Sequence, residues 1–286
     1  MFDDIIVKTF RSNDHILTEA SEHFKELTDA VFTEAASILA SKQKVHGLED
    51  LMEAANEQQK KSLIARLIEG FKTFIGVIIK WFTDRFDSAD RRLEILIKRL
   101  ESKDTKSIII DAPANISKLE WIHSDIIEKA GNEIREFNAV HILNSFNNKS
   151  VAEIAQIVES ELSGYVPVLS KYDNYTIDET KAAIFGEMQS QHNLDANMII
   201  REFKSMKSFS TELLKYDKAY SHTLDSMTGK IMLPGSDENM FHPFMHGITK
   251  YFHRNITLIA GIAGEFMSIA VQTLTKLDAK AITISK

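Results

Sequence analysis

The sequence is poor in the two residues that most often interrupt helices, since its 286 residues include only 11 glycines and 4 prolines. Average usage would give about 20 glycines and about 14 prolines. Turns and sheets consume these residues, whereas helix interiors exclude them. The scarcity therefore predicts a mainly all-α protein with few connections between its helices.

Apolar residues recur at spacings of three and four along much of the chain, which is the pattern of one helix face. Ser150 is a suitable N-cap for one of these helices, and Pro243 is tolerated in the first turn of the last one. We therefore expect an elongated multi-helix bundle. Helices are predicted over residues 17–38, 119–146, 149–163, 194–227 and 243–279.

A long amphipathic helix is predicted from the segment L-I-A-R-L-I-E-G-F-K-T-F-I-G-V-I-I-K-W-F, residues 63–82. Its apolar side covers about half the circumference, wider than the stripe of about 100° on an ordinary surface helix. Arg66, Glu69 and Lys72 would lie in lipid if it crossed a membrane, so a simple spanning helix is disfavoured. The pattern continues into the coiled-coil-like residues 86–100.

This broad apolar side needs a cover, for which the chain itself comes first, a neighbouring subunit second and lipid third. We predict that it forms a partner, oligomer or membrane-facing surface. The residues of this predicted surface are Phe71, Phe74, Ile75, Ile78, Trp81, Phe82, Phe86 and Leu93.

The chain offers at most one short β segment, Ser107 to Asp111, followed by Ala112 and Pro113. A strand from a neighbouring chain is the suspected partner. The sequence pattern changes there from helical to extended. This change suggests an N-terminal helical hairpin or coiled-coil region over 1–105 and a C-terminal helical bundle over 106–286. Residues 164–175, which include Pro167, are a second candidate linker.

The net charge of −7 disfavours a general nucleic-acid binder, which usually presents a basic face, so no nucleic-acid partner is expected. The chain has no cysteine, which excludes disulfides and thiolate chemistry. The N-terminal M-F-D-D-I-I-V-K lacks the basic and apolar regions of a secretory signal. These features predict a protein made in a reducing cytoplasm.

Catalytic signatures are missing from the sequence. No G-x-G-x-x-G, no G-x-x-x-x-G-K-[ST] and no G-x-S-x-G occurs, so neither a phosphate cradle nor a nucleophile elbow is supported. We therefore expect a non-enzymatic protein with no catalytic residue and no cofactor.

Two histidine patterns are candidates for a metal site. His242, His246 and His253 lie within about 40° of one another on a helix, and imidazoles at i, i+4 can bind zinc. The pair encloses Pro-Phe-Met rather than the glutamate of H-E-x-x-H, which favours a polar edge beside a buried face. Glu120 and His123 form a single E-x-x-H, whereas di-iron bundles need two. Neither pattern predicts a metal site.

A second apolar run, residues 256–275, has the length of a membrane-spanning helix and only one charge, Glu265. That charge at the middle would cost about 3 kcal/mol by insertion scales. A buried core helix is the favoured interpretation.

The order of these segments is similar to that found in a known class of proteins. An N-terminal helix is followed by F-K-T-F-I-G-V-I-I-K-W-F-T-D-R-F, a charged coil, a short β-like segment and further long helices. This arrangement resembles virion structural and internal head proteins of large tailed bacteriophages. The resemblance implies a virion location, with other copies of the chain or other virion proteins as partners. It assigns no functional residue.

Three functional hypotheses follow. The first is a structural or interaction protein present in many copies in a phage virion, either inside the capsid or associated with the tail. The second is a membrane-active helical protein, similar to α-helical pore-forming toxins or ejected together with DNA. The third is a metal-binding helical protein built on the histidine stripe.

Overall fold

The computed structural model confirms the mainly all-α class. The residues that it describes are 19, 22, 23, 25–27, 29, 30, 66, 69, 70, 73, 74, 76, 77, 80, 81, 86–103, 105, 108–113, 116–137, 139–146, 149–186, 191–205 and 241–284.

Helix α1 spans residues 86–101. The strand β1 follows at Ile109–Pro113, and β2 lies at Gln191–Asp195. The remaining helices are α2 (Ile116–Trp121), α3 (Lys129–Arg135), α4 (Ala139–Asn144), α5 (Val151–Leu162), α6 (Ile177–Phe185), α7 (Ala196–Ser205) and α8 (Phe241–Ile284). A π-helix at Ile122–Glu128 joins α2 to α3, and a 3-10 helix occupies Pro167–Tyr172.

Helix α8 is the spine of the fold. It contacts α3, α5, α6, α7, β1 and the π-helix. Most of its residues are buried in the core, and Phe244, Phe252 and Phe266 are fully buried. The exposed Glu265 lies on its outer side. The final helix predicted over 243–279 is therefore confirmed, with a further turn at its C-terminal end.

Local sequence signals explain the helices that pack on this spine. Ser150 caps α5, and Thr176 caps α6, each with a reciprocal capping box. The predicted cap at Ser150 is thus confirmed. The helix predicted over 119–146 is interrupted, because the chain leaves helical hydrogen bonding after Arg135 and resumes it in α4.

The predicted β segment has its partner within the same chain. Strand β1 pairs antiparallel with β2, with Ile109 opposite Asp195 and Pro113 opposite Gln191. Ile108 and Ile110 are buried under the ladder, whereas Ile109 is exposed. The suspected pairing with a neighbouring chain is therefore not required, and the polar strand β2 was not predicted.

The segment predicted as a second linker is also ordered. Residues 167–172 form the 3-10 helix, in which Leu169 and Tyr172 are buried. Ion pairs cross the proposed boundary at residue 105, since Asp278 of α8 binds both Arg99 and Lys103. The division into regions 1–105 and 106–286 stays a prediction.

Candidate functional site

A polar clamp in the middle of α8 holds the 3-10 helix in place. The Arg254 guanidinium donates to the carbonyl oxygens of Ser163 and Asp173 and stacks over the Tyr165 ring, 4.2 Å from its centroid. The next residue, Asn255, accepts from the backbone N–H of Val166 at 2.7 Å. Arg254 and Asn255 are adjacent on α8, and together they hold both ends of the segment 163–173, which contains the 3-10 helix.

Two carboxylates complete this clamp. Asp173 accepts from the backbone N–H of Tyr165 at 2.6 Å, and Glu133 of α3 accepts from that of Val168 at 2.9 Å. Burial, together with the Glu133 carboxylate, raises the pKa of the neighbouring Tyr251 to about 12. Because backbone donors are satisfied by side chains, this irregular segment can lie against the core.

The clamp presents an aromatic surface, which we define as Trp121, Lys171, Tyr172 and Tyr175. The Lys171 ammonium lies 5.9 Å from the Trp121 ring centroid and 4.9 Å from that of Tyr172. Tyr172 and Tyr175 meet edge to face at 5.8 Å. Trp121 is 40% exposed and Tyr175 is 46% exposed, so both rings offer apolar area to a partner.

The backbone around the aromatic surface is unusual on both sides. Trp121 is the last residue before the π-helix, and Lys171 and Tyr172 belong to the 3-10 helix. π-Helical segments inside α-helices occur frequently at functional sites. Trp and Tyr are also enriched among the residues that dominate binding energy at protein interfaces. The arrangement is suited to protein recognition.

A second feature is a cationic cleft between the end of α1 and α7, with a volume of about 640 Å³. Lys103, Arg201 and Lys204 supply its positive charge, and Glu101 accepts from Lys204 at 2.6 Å. At one side, the Thr105 hydroxyl donates to the side-chain oxygen of Asn197 at 2.8 Å. The volume lies within the range of about 300 to 1,000 Å³ that is usual for ligand sites.

The described members of the predicted apolar surface face the interior of this chain. Phe74, Trp81 and Phe86 are buried, and Leu93 is partly buried against the core. Coverage by the chain itself was the first of the three alternatives. The other predicted members, Phe71, Ile75, Ile78 and Phe82, lie outside the described residues, so a partner role for this surface stays a prediction.

Among the described residues, the histidines of α8 do not come together with other ligands to form a metal site. His246 Nε2 lies 3.0 Å from Asp29 Oδ1, and burial lowers the pKa of His253, an effect that Glu22 partly opposes. The side chain of His242 lies outside the described residues. Within the part of the chain that the structure describes, no group of three potential metal ligands occurs.

The side chains of Glu120 and His123 lie in different environments. The Glu120 side chain is exposed, whereas His123 is buried with its ring centroid 6.0 Å from that of Phe266. Since the imidazole lies in the core beside an aromatic ring, the E-x-x-H spacing does not bring the two groups to a common site.

Sequence reasoning missed both the aromatic surface and the cationic cleft. The segment predicted as a linker contains S-K-Y-D-N-Y, residues 170–175. Its two tyrosines and one lysine within six residues could have indicated a binding surface. The cleft joins residues near 101 to residues near 201, and no local pattern marks such a pairing.

Comparison of the chain with protein-family models, with curated proteins and with solved structures finds no match.

Proposed function

We propose that the protein is a non-enzymatic structural or interaction protein that works in many copies. The observation that supports this most directly is the aromatic surface, in which the exposed Trp121 and Tyr175 rings contact Lys171 and Tyr172 of the 3-10 helix that the polar clamp holds. A rigid aromatic anchor loses little conformational freedom when it is covered, so more of the buried area contributes to affinity.

We further propose that the assembly is a bacteriophage virion, with the protein inside the capsid or associated with the tail. The order of helical, coiled and β-like segments in the sequence supports this narrower proposal. Its partners would be other copies of the chain or other virion proteins.

Light scattering after size-exclusion chromatography tests the interaction role. We expect a mass above that of one chain, and Trp121→Ala combined with Tyr175→Ala should lower it towards a single chain. Ile95→Ala is the matched control, because Ile95 is also an exposed apolar residue but lies on α1. The proposal would be contradicted if the protein were a monomer at all concentrations and were also missing from purified phage particles.

A membrane-active function is the second candidate, because one helix of the described chain, His246–Thr283, is long and apolar enough to cross a bilayer. The same feature occurs in core helices of soluble proteins, and 67% of its apolar window is buried here. Insertion would therefore require α8 to leave the helices that surround it, as well as the clamp at Arg254 and Asn255.

Dye release from liposomes at acidic and neutral pH tests this second candidate. Gln272→Asp adds a charge to the exposed side of α8 without touching the core, and insertion should then cost about 3 kcal/mol more. We expect it to suppress release if α8 inserts. Gln156→Asp on the exposed side of α5 is the control. Release that both variants leave unchanged would contradict insertion of α8.

A further inference from the structure

We propose that the aromatic surface packs against the same surface of a second copy of this chain about a twofold axis, so that Lys171 of each copy binds Glu120 of the other. This inference deepens the proposed interaction role and rests on it. It names the partner as a second copy and assigns the polar contacts that orient the two copies.

Lys171 has no anionic partner within the described part of its own chain. Its ammonium lies over the Trp121 and Tyr172 rings, and no described carboxylate forms an ion pair with it. The two carboxylates of the polar clamp, Asp173 and Glu133, accept hydrogen bonds from backbone N–H groups instead. Aromatic rings attract an ammonium but leave its charge in place, so a carboxylate from another chain can still bind it.

Glu120 supplies the opposite charge beside the same tryptophan. It directly precedes Trp121, its side chain is exposed, and it forms no ion pair with a described cation. The nearby Asp125 differs, because its carboxylate already binds the Lys129 ammonium at 2.5 Å. A carboxylate and an ammonium that are both exposed, and that have no ion pair among the described residues, therefore adjoin Trp121.

This combination makes the surface self-complementary. In a twofold interface, residue i of one copy contacts residue j of the other and the reverse, so the pair of Lys171 with Glu120 forms twice. The exposed Trp121 and Tyr175 rings would surround these pairs and exclude water, as the residues around a binding hot spot do. A second copy thus supplies both the opposite charge and the apolar cover that the surface can bind.

Tyr175 is exposed for a local reason. It precedes Thr176, the N-cap of α6, and an apolar residue at this position often packs against the fourth residue of the helix. That residue is Thr180, which is buried and donates to the Thr176 carbonyl oxygen. The Tyr175 ring lies instead against the edge of Tyr172, so part of it is available to the second copy.

Analytical ultracentrifugation of the full chain tests the pairing by charge reversal. Lys171→Glu and Glu120→Lys should each raise the dissociation constant about tenfold or more, because like charges then face each other twice in the interface. Lys98→Glu and Glu94→Lys make the same charge changes at exposed positions on α1 and should leave association unchanged. Circular dichroism checks that each variant folds.

An equimolar mixture of Lys171→Glu and Glu120→Lys chains is the sharpest sample. A pair formed by one chain of each kind contains one original ion pair and one with the charges exchanged. Association should therefore return to the wild-type level in the mixture. The double variant, which exchanges the charges in both pairs, should also associate like the wild type.

The pairing would be overturned if both reversals left association unchanged in folded variants, or if the mixture stayed dissociated. These results differ from a failure of the proposed function. If Trp121→Ala combined with Tyr175→Ala still lowers the mass, the interaction role stands and only the pairing falls. A wild-type chain that is a monomer at every concentration also overturns the pairing, whereas the proposed function falls only if the protein is missing from phage particles too.

Discussion

Asn255 accepts a hydrogen bond from the backbone N–H of Val166 at 2.7 Å, and both residues are fully buried. The same amide donates to the Tyr251 carbonyl oxygen one turn earlier in α8. This side chain joins the spine of the fold to the segment that presents the aromatic surface. A leucine of similar size would fill the space but leave the Val166 donor without an acceptor.

We therefore expect Asn255→Leu to lower the free energy of unfolding by about 2 kcal/mol, which is the usual cost of an unsatisfied buried donor. Urea denaturation measures this change. Gln272→Leu is the control, since it removes an exposed amide from the same helix and should cost less than about 0.5 kcal/mol. Equal effects of the two substitutions would show that the clamp contributes nothing particular.

Gly247 lies where α8 packs tightly against α5. A Cβ atom added there would lie 2.3 Å from Val158 Cγ1 and 3.0 Å from Leu162 Cδ1. The β-branched valine is stiff about χ1, so it cannot easily move aside. We expect Gly247→Ala to cost about 1 to 3 kcal/mol despite the better helix propensity of alanine.

The exposed helical Gly76 provides the control for this substitution, because no atom lies within 4 Å of a Cβ built there. Gly76→Ala should be neutral or stabilise by up to about 1 kcal/mol. Thermal unfolding of both variants tests the pair. A stable Gly247→Ala protein would mean that the two helices separate more easily than their packing indicates.

Asp278 is a carboxylate with an 8% exposed side chain that binds Arg99 at 2.9 Å and Lys103 at 2.8 Å. Asp278→Asn should cost about 1 to 3 kcal/mol, less than a fully buried pair because Arg99 is half exposed. Glu94→Gln removes the exposed pair with Lys98 and should have a clearly smaller effect, because solvent screens exposed ion pairs. Chemical denaturation at low and high salt compares them, and similar costs would contradict this ranking.

The lowered pKa of His253 leads us to expect that the stability of the fold depends on pH. Burial lowers the pKa of His253 in the folded state, so the unfolded chain takes up the proton first as the pH falls. The stability that the neutral imidazole contributes is fully present above about pH 6.5, the ordinary histidine value, and is lost as the pH falls through the lowered pKa. We expect the free energy of unfolding to decrease from neutral to mildly acidic pH.

His253→Gln should flatten that dependence, whereas His141→Gln, at an exposed position on α4, should preserve it. Guanidinium denaturation at a series of pH values measures both slopes. If His253→Gln leaves the slope of the wild type, then another group causes the acid sensitivity.

The parts of the fold that depend on local chemistry were predictable from the sequence. The cap at Ser150 and the long apolar run after Pro243 led to correct predictions of α5 and α8. Strand β2, with the sequence Q-H-N-L-D, has little β propensity of its own. It is extended because it pairs with β1, and such a pairing is a tertiary effect that no local pattern reveals.

The same reason limits prediction of the candidate site. Trp121 drew attention only as the middle of an E-x-x-H motif, and the turn that brings Lys171 over its ring is held by Arg254, far along the chain. The π-helix after Trp121 contains one residue more per turn than an α-helix, so a period of 3.6 does not locate it.

The spine has a consequence for synthesis on the ribosome. Helix α8 follows every other described element in the chain, yet α3, α5, α6, α7 and β1 all pack against it. Translation adds about 5 to 20 residues each second, and the earlier elements therefore emerge before the surface that buries them exists. Their apolar faces stay open during that interval, so we expect the nascent chain to be a substrate for chaperones until residues 241–284 have left the exit tunnel.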